Sequence, residues 1–246
     1  MFTSHVARSS LVVSVPVAIA LLHSPVSRAI AQDSAFDRRA SVVLLDFNVA
    51  TNKDQADWAP LAKGIPQMLM TELSRNPDIR IVERERLQAV LDELKLTPAA
   101  LVDPQTAAKV GKLIGARYMV SGGIAVIGNK QLRLDVHGFK VETAVHEYND
   151  ALLGKADDVL ELIAKLGQKA SKEFDPTPFD APTGRDAGNT SKPTKAGLRL
   201  AMLLGNAVDL KDKKDFDGAK VLVKQALALV PGDPSATALL SSLESK

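Results

Sequence analysis

Runs of apolar residues predict the first strands and helices of the chain. Val42 to Leu45 is a continuous apolar run, which predicts a first strand over 40–49 that is buried on both faces. A helix is expected from about residue 59 to 75, and Pro66 either kinks it or marks its proper start. A short strand follows over 79–82. Strand, helix and strand form a βαβ unit, so the two strands are expected to be parallel with a right-handed crossover.

A second group of elements completes this region. Residues 84–94 carry apolar side chains at helical spacing, and Asp103-Pro104 has the pattern of an N-cap followed by proline in a helix that ends at Gly115. Strands of an antiparallel meander are expected over 118–127, 131–141 and 144–153, with a last helix starting at Asp157 or Asp158. The predicted fold class is α/β, with a mixed sheet (the βαβ unit plus the meander) flanked by helices.

The end of the chain has a different character. Residues 175–193 are rich in Pro, Gly, Asp, Ser and Thr, which is typical of a linker. Residues 194–246 have the apolar spacing of a tetratricopeptide-like helical module, with a turn near 211–215 and a third helix over 234–243. One such unit cannot bury its apolar face alone. We therefore expect it to pack on the main domain at 40–174, to pair with another copy, or to bind a partner.

The N-terminus has the three features of a secretory signal peptide. Arg8 supplies positive charge, residues 11–22 are mainly apolar, and Ala29-Ile30-Ala31 is a small-x-small cleavage pattern. The alternative is an uncleaved anchor, but the apolar run is shorter than the roughly 20 residues that span a bilayer. We therefore expect a cleavable signal peptide over 1–31.

Composition narrows the function classes. The chain has no cysteine, which excludes disulfides and a lipid-modified N-terminal cysteine. Removal of 1–31 leaves 29 basic and 29 acidic residues, so a general electrostatic affinity for nucleic acid or anionic lipid is not expected. Aromatic residues are scarce and Trp58 is the only tryptophan, so platforms for stacking bases are not expected either.

Catalytic and cofactor motifs are missing from the sequence. It contains no Gly-x-x-x-x-Gly-Lys, Gly-x-Gly-x-x-Gly or Gly-x-Ser-x-Gly pattern. Gly122-Gly123 falls inside a predicted strand, where backbone crowding or a bulge is a better explanation than phosphate binding. We expect no enzymatic activity, no cofactor and no small-molecule substrate.

Two groups of residues could suggest a metal. His137 and His146 would lie almost opposite each other if the turn falls near 142–143, but a pair is fewer than the three or four ligands of a metal site. We expect polar strand residues on the solvent face. A calcium loop is suggested by Asp209, Asp212, Asp215, Asp217 and Gly218, but Lys213 occupies a ligand position. A solvated turn between helices is expected there, and no metal site is predicted.

A dense charge cluster, Glu83-Arg84-Glu85-Arg86, lies where the second strand meets the next helix. Acidic residues near a helix N-terminus are favourable, so helix-start electrostatics and surface solvation are the first interpretation. Contact with a partner is the second.

These segments together resemble the CsgG family, the curli secretion subunits, over about residues 42–153. The motif residues that carry the resemblance, and to which we assign a structural or partner-contact role, are Asp46, Phe47, Glu83, Arg84, Gly111, Gly115 and Gly122.

The resemblance implies an exported, periplasmic protein of the cell envelope that acts in assembly or secretion through protein contacts. Its expected partners are envelope proteins, with self-association as a further option, and any outer-membrane association would not use a lipid. The alternative is an oligomeric outer-membrane channel subunit that secretes curli-like fibre proteins. The chain differs from channel-forming members in having no lipid-bearing cysteine and no obvious pair of membrane hairpins, which need strands of roughly 10 alternating residues.

Overall fold

The computed structural model describes residues 39–51, 55–128, 131–174 and 195–245. The predicted signal peptide at 1–31 and the predicted linker at 175–193 lie outside these residues. The described residues all belong to one compact unit.

A mixed sheet lies at the centre of this unit, as the sequence predicts. Its strands are β1 (Ala40–Leu44), β2 (Asn48–Thr51), β3 (Ile79–Ile81), β4 (Tyr118–Ile127), β5 (Gln131–Lys140) and β6 (Val145–Lys155). The order is β3-β1-β4-β5-β6, and β2 pairs with β4. β1 is parallel to both β3 and β4, which confirms the parallel βαβ unit. The antiparallel pairs β4–β5 and β5–β6 confirm the meander.

The prediction of a single strand over 40–49 is wrong in one respect, because this segment is divided into the two strands β1 and β2. Leu44 is level with Val120 and Asn48 with Gly123, so this segment holds one residue more than β4 does. Leu45 and Phe47 are buried in the cores on opposite faces, which leaves Asp46 as the extra residue. The irregularity is a β-bulge, and such bulges redirect a side chain out of the regular alternation.

Eight α-helices are present in the described residues. They are α1 (Gln55–Trp58), α2 (Leu61–Leu73), α3 (Arg84–Leu94), α4 (Pro104–Ile114), α5 (Val159–Phe174), α6 (Lys195–Asp212), α7 (Phe216–Leu229) and α8 (Pro234–Glu244). Two 3₁₀ turns lie at Pro98–Val102 and Ala156–Asp158, and the second contains both predicted cap residues of α5. Pro66 lies within α2 and does not start it.

The ends of α4 follow from its sequence. The Asp103 carboxylate accepts a hydrogen bond from the backbone N–H of Thr106 at 2.8 Å, so the predicted N-cap is confirmed. Hydrogen bonds from the Thr106 hydroxyl and backbone hold the pKa of Asp103 below its usual value. Gly115 ends the helix with a φ of 70°, a left-handed conformation that glycine adopts without steric cost.

The sheet separates two hydrophobic cores. Val42 and Leu44 face the core formed with α2, α5 and the C-terminal helices, whereas Val43 and Leu45 face the core under α3 and α4. Burial on both faces explains why the first strand is a continuous apolar run.

The C-terminal helices bury their apolar face on the main domain. This is the first of the three arrangements expected for them, ahead of pairing with another copy and binding a partner. α6 crosses α2 with the backbones in close approach: a Cβ built on Gly64 would lie 1.9 Å from the carbonyl oxygen of Ala201. A Cβ on Gly205 would lie 1.8 Å from the carbonyl oxygen of Pro60. Both positions must therefore be glycine for the helices to pack as they do. No helix among the described residues is both long enough and apolar enough to cross a membrane.

Replacing Gly205 with alanine should destabilise the protein, because the new methyl group would overlap the backbone of α2. Overpacking of this kind costs about 1–3 kcal/mol or more, which exceeds the gain of roughly 1 kcal/mol from better helix propensity. Urea unfolding monitored by circular dichroism would measure the loss of unfolding free energy. Asn206→Ala, at the exposed next position of α6, is the matched control and should not lower stability. Equal stability of the two variants would contradict the close crossing.

Candidate functional site

Arg84, the first residue of α3, lies between two carboxylates from distant parts of the chain. Its guanidinium binds Asp46 at the bulge, with Nη2 at 2.9 Å from Oδ2. It also binds Asp212, the last residue of α6, with Nη2 at 2.8 Å from Oδ2 and Nε at 3.0 Å from Oδ1. The Arg84 side chain is 20% exposed and that of Asp212 is 23% exposed. These contacts connect the first strand, α3 and the C-terminal helices at a single side chain.

Lys63 on α2 extends this arrangement. Its Nζ lies 2.8 Å from Asp209 Oδ1 and 2.9 Å from Asp212 Oδ2. We call Asp46, Lys63, Arg84, Asp209 and Asp212 the Arg84 network. The prediction of a solvated turn is wrong for Asp212, which lies in the last turn of α6 with its side chain only 23% exposed. Asp209 also lies in α6, but its side chain is 39% exposed.

Other residues of the two charge clusters also make contacts within the chain. Asp215 accepts a hydrogen bond from the Gly218 N–H at 2.9 Å and caps α7. Lys211 of α6 pairs with Glu85 at 2.7 Å. The backbone carbonyl of Glu83 accepts from the Arg86 N–H in the first turn of α3.

Mutual hydrogen bonding favours the charged forms of Lys63, Arg84 and Asp212. Burial is the largest influence on the Arg84 pKa and acts to lower it, but the bonds to Asp46 and Asp212 together outweigh burial and raise it. Burial likewise acts to raise the pKa of Asp212, and the bonds from Arg84 and Lys63 reverse this, so that the pKa lies below its usual value. The pKa of Lys63 is raised by Asp209 and Asp212 against the effect of burial. The charged forms are therefore the stable forms near neutral pH.

Phe47 and the motif glycines pack closely on their neighbours. A Cβ on Gly122 would lie 2.5 Å from the Phe47 ring and 2.5 Å from the backbone oxygen of Asp135. A Cβ on Gly111 would lie 2.6 Å from Val141 and 3.0 Å from the Met119 sulfur, so this glycine lets α4 approach the sheet. Backbone crowding at Gly122 matches the expectation for this strand.

A cleft of about 490 Å³ opens beside Arg84, between the sheet, α3 and the 3₁₀ turn at Pro98–Val102. The residues that line it include Leu45, Asp46, Asn48, Arg84, Leu87, Gln88, Leu91, Leu101, Ser121, Gly122, Gly123, His137, Phe139 and His146. Sequence reasoning did not identify it, because its walls come from six separate segments.

Both histidines line this cleft, but they are not opposite each other as predicted. His146 is opposite Phe139, in the register set by the turn between Lys140 and Val145. A bulge in β6 moves the register by one further residue, so that His137 is opposite Asn149. His137 Nδ1 lies 2.7 Å from Asn149 Oδ1, and the His146 ring makes an edge contact with Phe139 at a centroid distance of 5.9 Å. Within the described part of the chain, no three His, Asp or Glu side chains form a group that could hold a metal.

Half of one sheet face is left open beyond the cleft. We define the open sheet half as the outward positions Ile127, Arg133, Asp135, Ala151 and Leu153 of β4, β5 and β6. Leu153 is 59% exposed and Ile127 is 47% exposed. The strand β6, 11 residues long, forms the edge and pairs only with β5 among the described strands. An open sheet with a long free edge can pair with another chain.

One pattern in the sequence could have predicted the α2–α6 crossing. Gly197, Ala201 and Gly205 recur every four residues and lie on one face of α6. A Cβ on Gly197 would lie 2.8 Å from Leu160, so the first of these positions is also in close contact. Such spacing indicates a helix that packs backbone to backbone.

The adjacent glycines of β4 should respond differently to alanine. Gly122→Ala should cost about 2 kcal/mol, because its methyl group overlaps Phe47 and a backbone oxygen. Gly123→Ala should be close to neutral, because the nearest atom to its Cβ is the Asn48 backbone oxygen at 4.0 Å. Thermal unfolding of the two variants would test this. Similar losses in both would show that strand propensity, and not crowding, explains the effect.

The Arg84 network should make stability depend on acid pH. The folded-state pKa of Asp212 is depressed, so its stabilising contribution is present above the unfolded pKa of about 3.9 and is lost as pH falls through the folded value. Asp212→Asn should cost about 1–2 kcal/mol at pH 7 and give a shallower fall of stability below about pH 5.

Urea midpoints measured between pH 7 and pH 3 would check this slope. Glu93→Gln, at an exposed position of α3, is the control and should follow the wild-type pH profile. Parallel profiles for wild type and Asp212→Asn would contradict a role for this carboxylate.

Comparison with known proteins gives a family match and several structural likenesses. The family model described as "Curli production assembly/transport component CsgG" matches residues 23–146. No curated protein sequence matches the chain.

Three solved structures are similar to part of the chain. The LpoB C-terminal domain from Escherichia coli is 18% identical, covers 52% of this chain and 91% of its own, and has a TM-score of 0.38. TolB from Acinetobacter baumannii is 14% identical over 58% of this chain and 30% of its own, with a TM-score of 0.41. The PelC dodecamer from Paraburkholderia phytofirmans is 12% identical over 56% and 89%, with a TM-score of 0.34.

The family model covers half of the sequence and includes β1 to β5 and α1 to α4, which contain five of the six described strands and the Asp46–Arg84 pair. The chain therefore belongs to the CsgG family.

Proposed function

We propose that this protein is an exported, non-catalytic component of the cell envelope that acts in assembly or secretion through protein–protein contacts. Membership of the CsgG family supports the role in assembly or secretion. The signal-like sequence of residues 1–31 supports export to the periplasm.

The observation that carries the protein-contact part of the proposal is the open sheet half with its free edge. Ile127 and Leu153 are large apolar side chains on a strand surface, and both are about half exposed. An extended segment of another protein can add to such an edge through main-chain hydrogen bonds, while alternate side chains pack on the sheet face. Its polar positions, Arg133 and Asp135, pair with each other at 2.8 Å, so charge does not block the approach of a neutral strand.

The C-terminal module has a supporting role in this proposal. We retain its tetratricopeptide-like assignment over 194–246, because α6 and α7 follow each other with a short turn and share a core. The face of α6 that carries Gly205 is in contact with α2. We therefore assign the partner contacts to the open sheet half. The C-terminal module packs against α2, on the other face of the sheet.

The alternative is an oligomeric outer-membrane channel subunit for curli-like fibre proteins, which the family description also accommodates. Cell fractionation separates the two roles. Recovery in the periplasmic fraction supports the proposal. Recovery only after detergent extraction of the outer membrane, with ring-shaped particles in negative stain, would favour the channel.

A photo-crosslinking amino acid at Leu153 should give a discrete protein adduct in cells, because this position lies on the open sheet half. The same amino acid at Val221, which is 55% exposed on α7, is the matched control and should give none. Leu153→Lys should abolish an adduct formed from a crosslinker at Ile127, with a change in unfolding free energy within about 0.5 kcal/mol. Equal adducts at Leu153 and Val221 would overturn the assignment of the surface.

A further inference from the structure

Basic side chains from three elements surround the C-terminal end of α4. Lys109 and Lys112 are exposed, and their spacing places them on one face of this helix. Lys112, Arg117 and Lys140 line a pocket of about 230 Å³. Arg86 of α3 lies close by, because its Nη2 is 4.0 Å from a Cβ built on Gly115, the residue that ends α4. We call Arg86, Lys109, Lys112, Arg117 and Lys140 the basic end.

The electrostatics of the helix end do not account for all of these charges. Cations near a helix C-terminus are favourable, because they offset its partial negative charge. The carbonyl of Gly115 already accepts hydrogen bonds from the Ser41 hydroxyl at 2.9 Å and from Arg80 Nη2 at 3.4 Å. Among the described residues, Arg86 and the two lysines of α4 form no side-chain hydrogen bond or ion pair. Their charges are therefore available to an anionic partner.

Glu142 offsets part of the charge of the basic end. It lines the same pocket as Lys112 and Lys140, and Glu147 lies 3.8 Å from the Lys140 Nζ. The near-zero charge of the exported chain excludes a general attraction to anions, but it does not exclude a local one. The excess of positive charge at this end has an anionic group or surface as its chemical complement.

An apolar side chain lies within this charged surface. Leu113 is 52% exposed, directly after Lys112 and one turn after Lys109 on the same side of α4. Its helix neighbours Val110 and Ile114 are buried in the core under α3 and α4, so Leu113 is not needed to close that core. A small anion would satisfy the cations and leave this leucine in water. An anionic bilayer takes up both, because the apolar side chain enters the headgroup layer while the cations stay at the phosphates.

The basic end lies away from the open sheet half. Arg117 directly precedes β4 and Ile127 is its last residue, so this strand of 10 residues separates the two surfaces. The separation is about 30 Å at the usual rise of an extended strand. A domain held to a bilayer at the basic end therefore keeps the open sheet half clear of the lipid surface.

We propose that the basic end binds the anionic surface of a phospholipid bilayer, with Leu113 among the headgroups and the basic side chains at the lipid phosphates. The chain has no cysteine that could carry a lipid anchor, so this contact holds it at a membrane without lipidation. The setting of the contact rests on the export step of the proposed function, whereas the contact itself does not.

Co-sedimentation of the purified protein with lipid vesicles tests the contact. The anionic vesicles contain phosphatidylethanolamine and phosphatidylglycerol in equal parts, and the neutral vesicles contain phosphatidylcholine in place of phosphatidylglycerol. All variants are purified in the form that cells produce, so that they share one N-terminus. We expect binding to the anionic vesicles to be at least about tenfold tighter than to the neutral vesicles, and to weaken steeply as salt is added.

Two pairs of lysines provide the first comparison of variants. Lys109→Gln with Lys112→Gln should weaken binding to anionic vesicles about 20-fold, since each basic residue at such a surface contributes roughly fivefold. Lys220→Gln with Lys224→Gln on α7 is the matched control, because it removes the same charge beside another exposed apolar residue, Val221. The control should stay within about twofold of wild type, because its charges lie away from the bilayer and are screened.

Leu113 and Glu142 provide two further variants. Leu113→Ala should weaken binding about tenfold, because it removes the apolar group that enters the headgroups. Val221→Ala is its control and should bind as wild type does. Glu142→Gln should strengthen binding about fivefold, because it removes an acidic group from the pocket. The positions of Leu113 and Glu142 are exposed, and circular dichroism will confirm that each variant is folded.

Three results would overturn the proposal. The first is equal binding to anionic and neutral vesicles, and the second is an equal loss in the two lysine variants. The third is binding of glycerol 3-phosphate or of a polyglutamate peptide without binding to vesicles, which would assign the basic end to a small anion or to an acidic protein. Vesicle binding and crosslinking at Leu153 probe different surfaces, so either proposal can be rejected while the other stands.

Discussion

The contact of Arg84 with Asp46 and Asp212 connects the first strands, α3 and the C-terminal helices. One guanidinium fork binds a carboxylate beside the first strand and a carboxylate at the end of α6. Arginine suits this position because its planar donors can bind two carboxylates at once, which a lysine ammonium cannot do with the same geometry. Removal of one partner would leave the others partly buried and incompletely paired, which is the costly case for ion pairs. The position of the C-terminal helices and the wall of the cleft therefore depend on the same side chain.

A single inserted residue creates the position that Asp46 needs. The bulge between β1 and β2 places Leu45 in one core and Phe47 in the other, and Asp46 is left to turn towards α3. The ring of Phe47 then fills the space over Gly122, where any side chain would collide. Two pairs of the motif residues, Asp46 with Arg84 and Phe47 with Gly122, thus lie against each other in the folded chain although they are far apart in the sequence.

The two faces of the sheet serve different purposes. One face is closed by α2 and α5, and the C-terminal helices are held against α2 by the glycine crossing. The other face is covered by α3 and α4 for part of its length and then ends in the cleft and the open sheet half. The helices therefore cover one face of the sheet along the strands, and they leave part of the other face exposed beside the edge strand β6.

The sequence by itself determined the elements and the family. The bounds of α3 and β4, the Asp103 cap and the order of the meander follow from local periodicity and capping, which depend on neighbouring residues alone. Only the tertiary structure decided the bulge at Asp46, the offset of His137 and His146, and the pairing of Arg84 with Asp212 across 128 positions. Register and ion pairing depend on which segments meet in space, and a pattern along the chain does not specify the partner. The cleft belongs to this second class, because its walls exist only after the sheet, α3 and the 3₁₀ turn have come together.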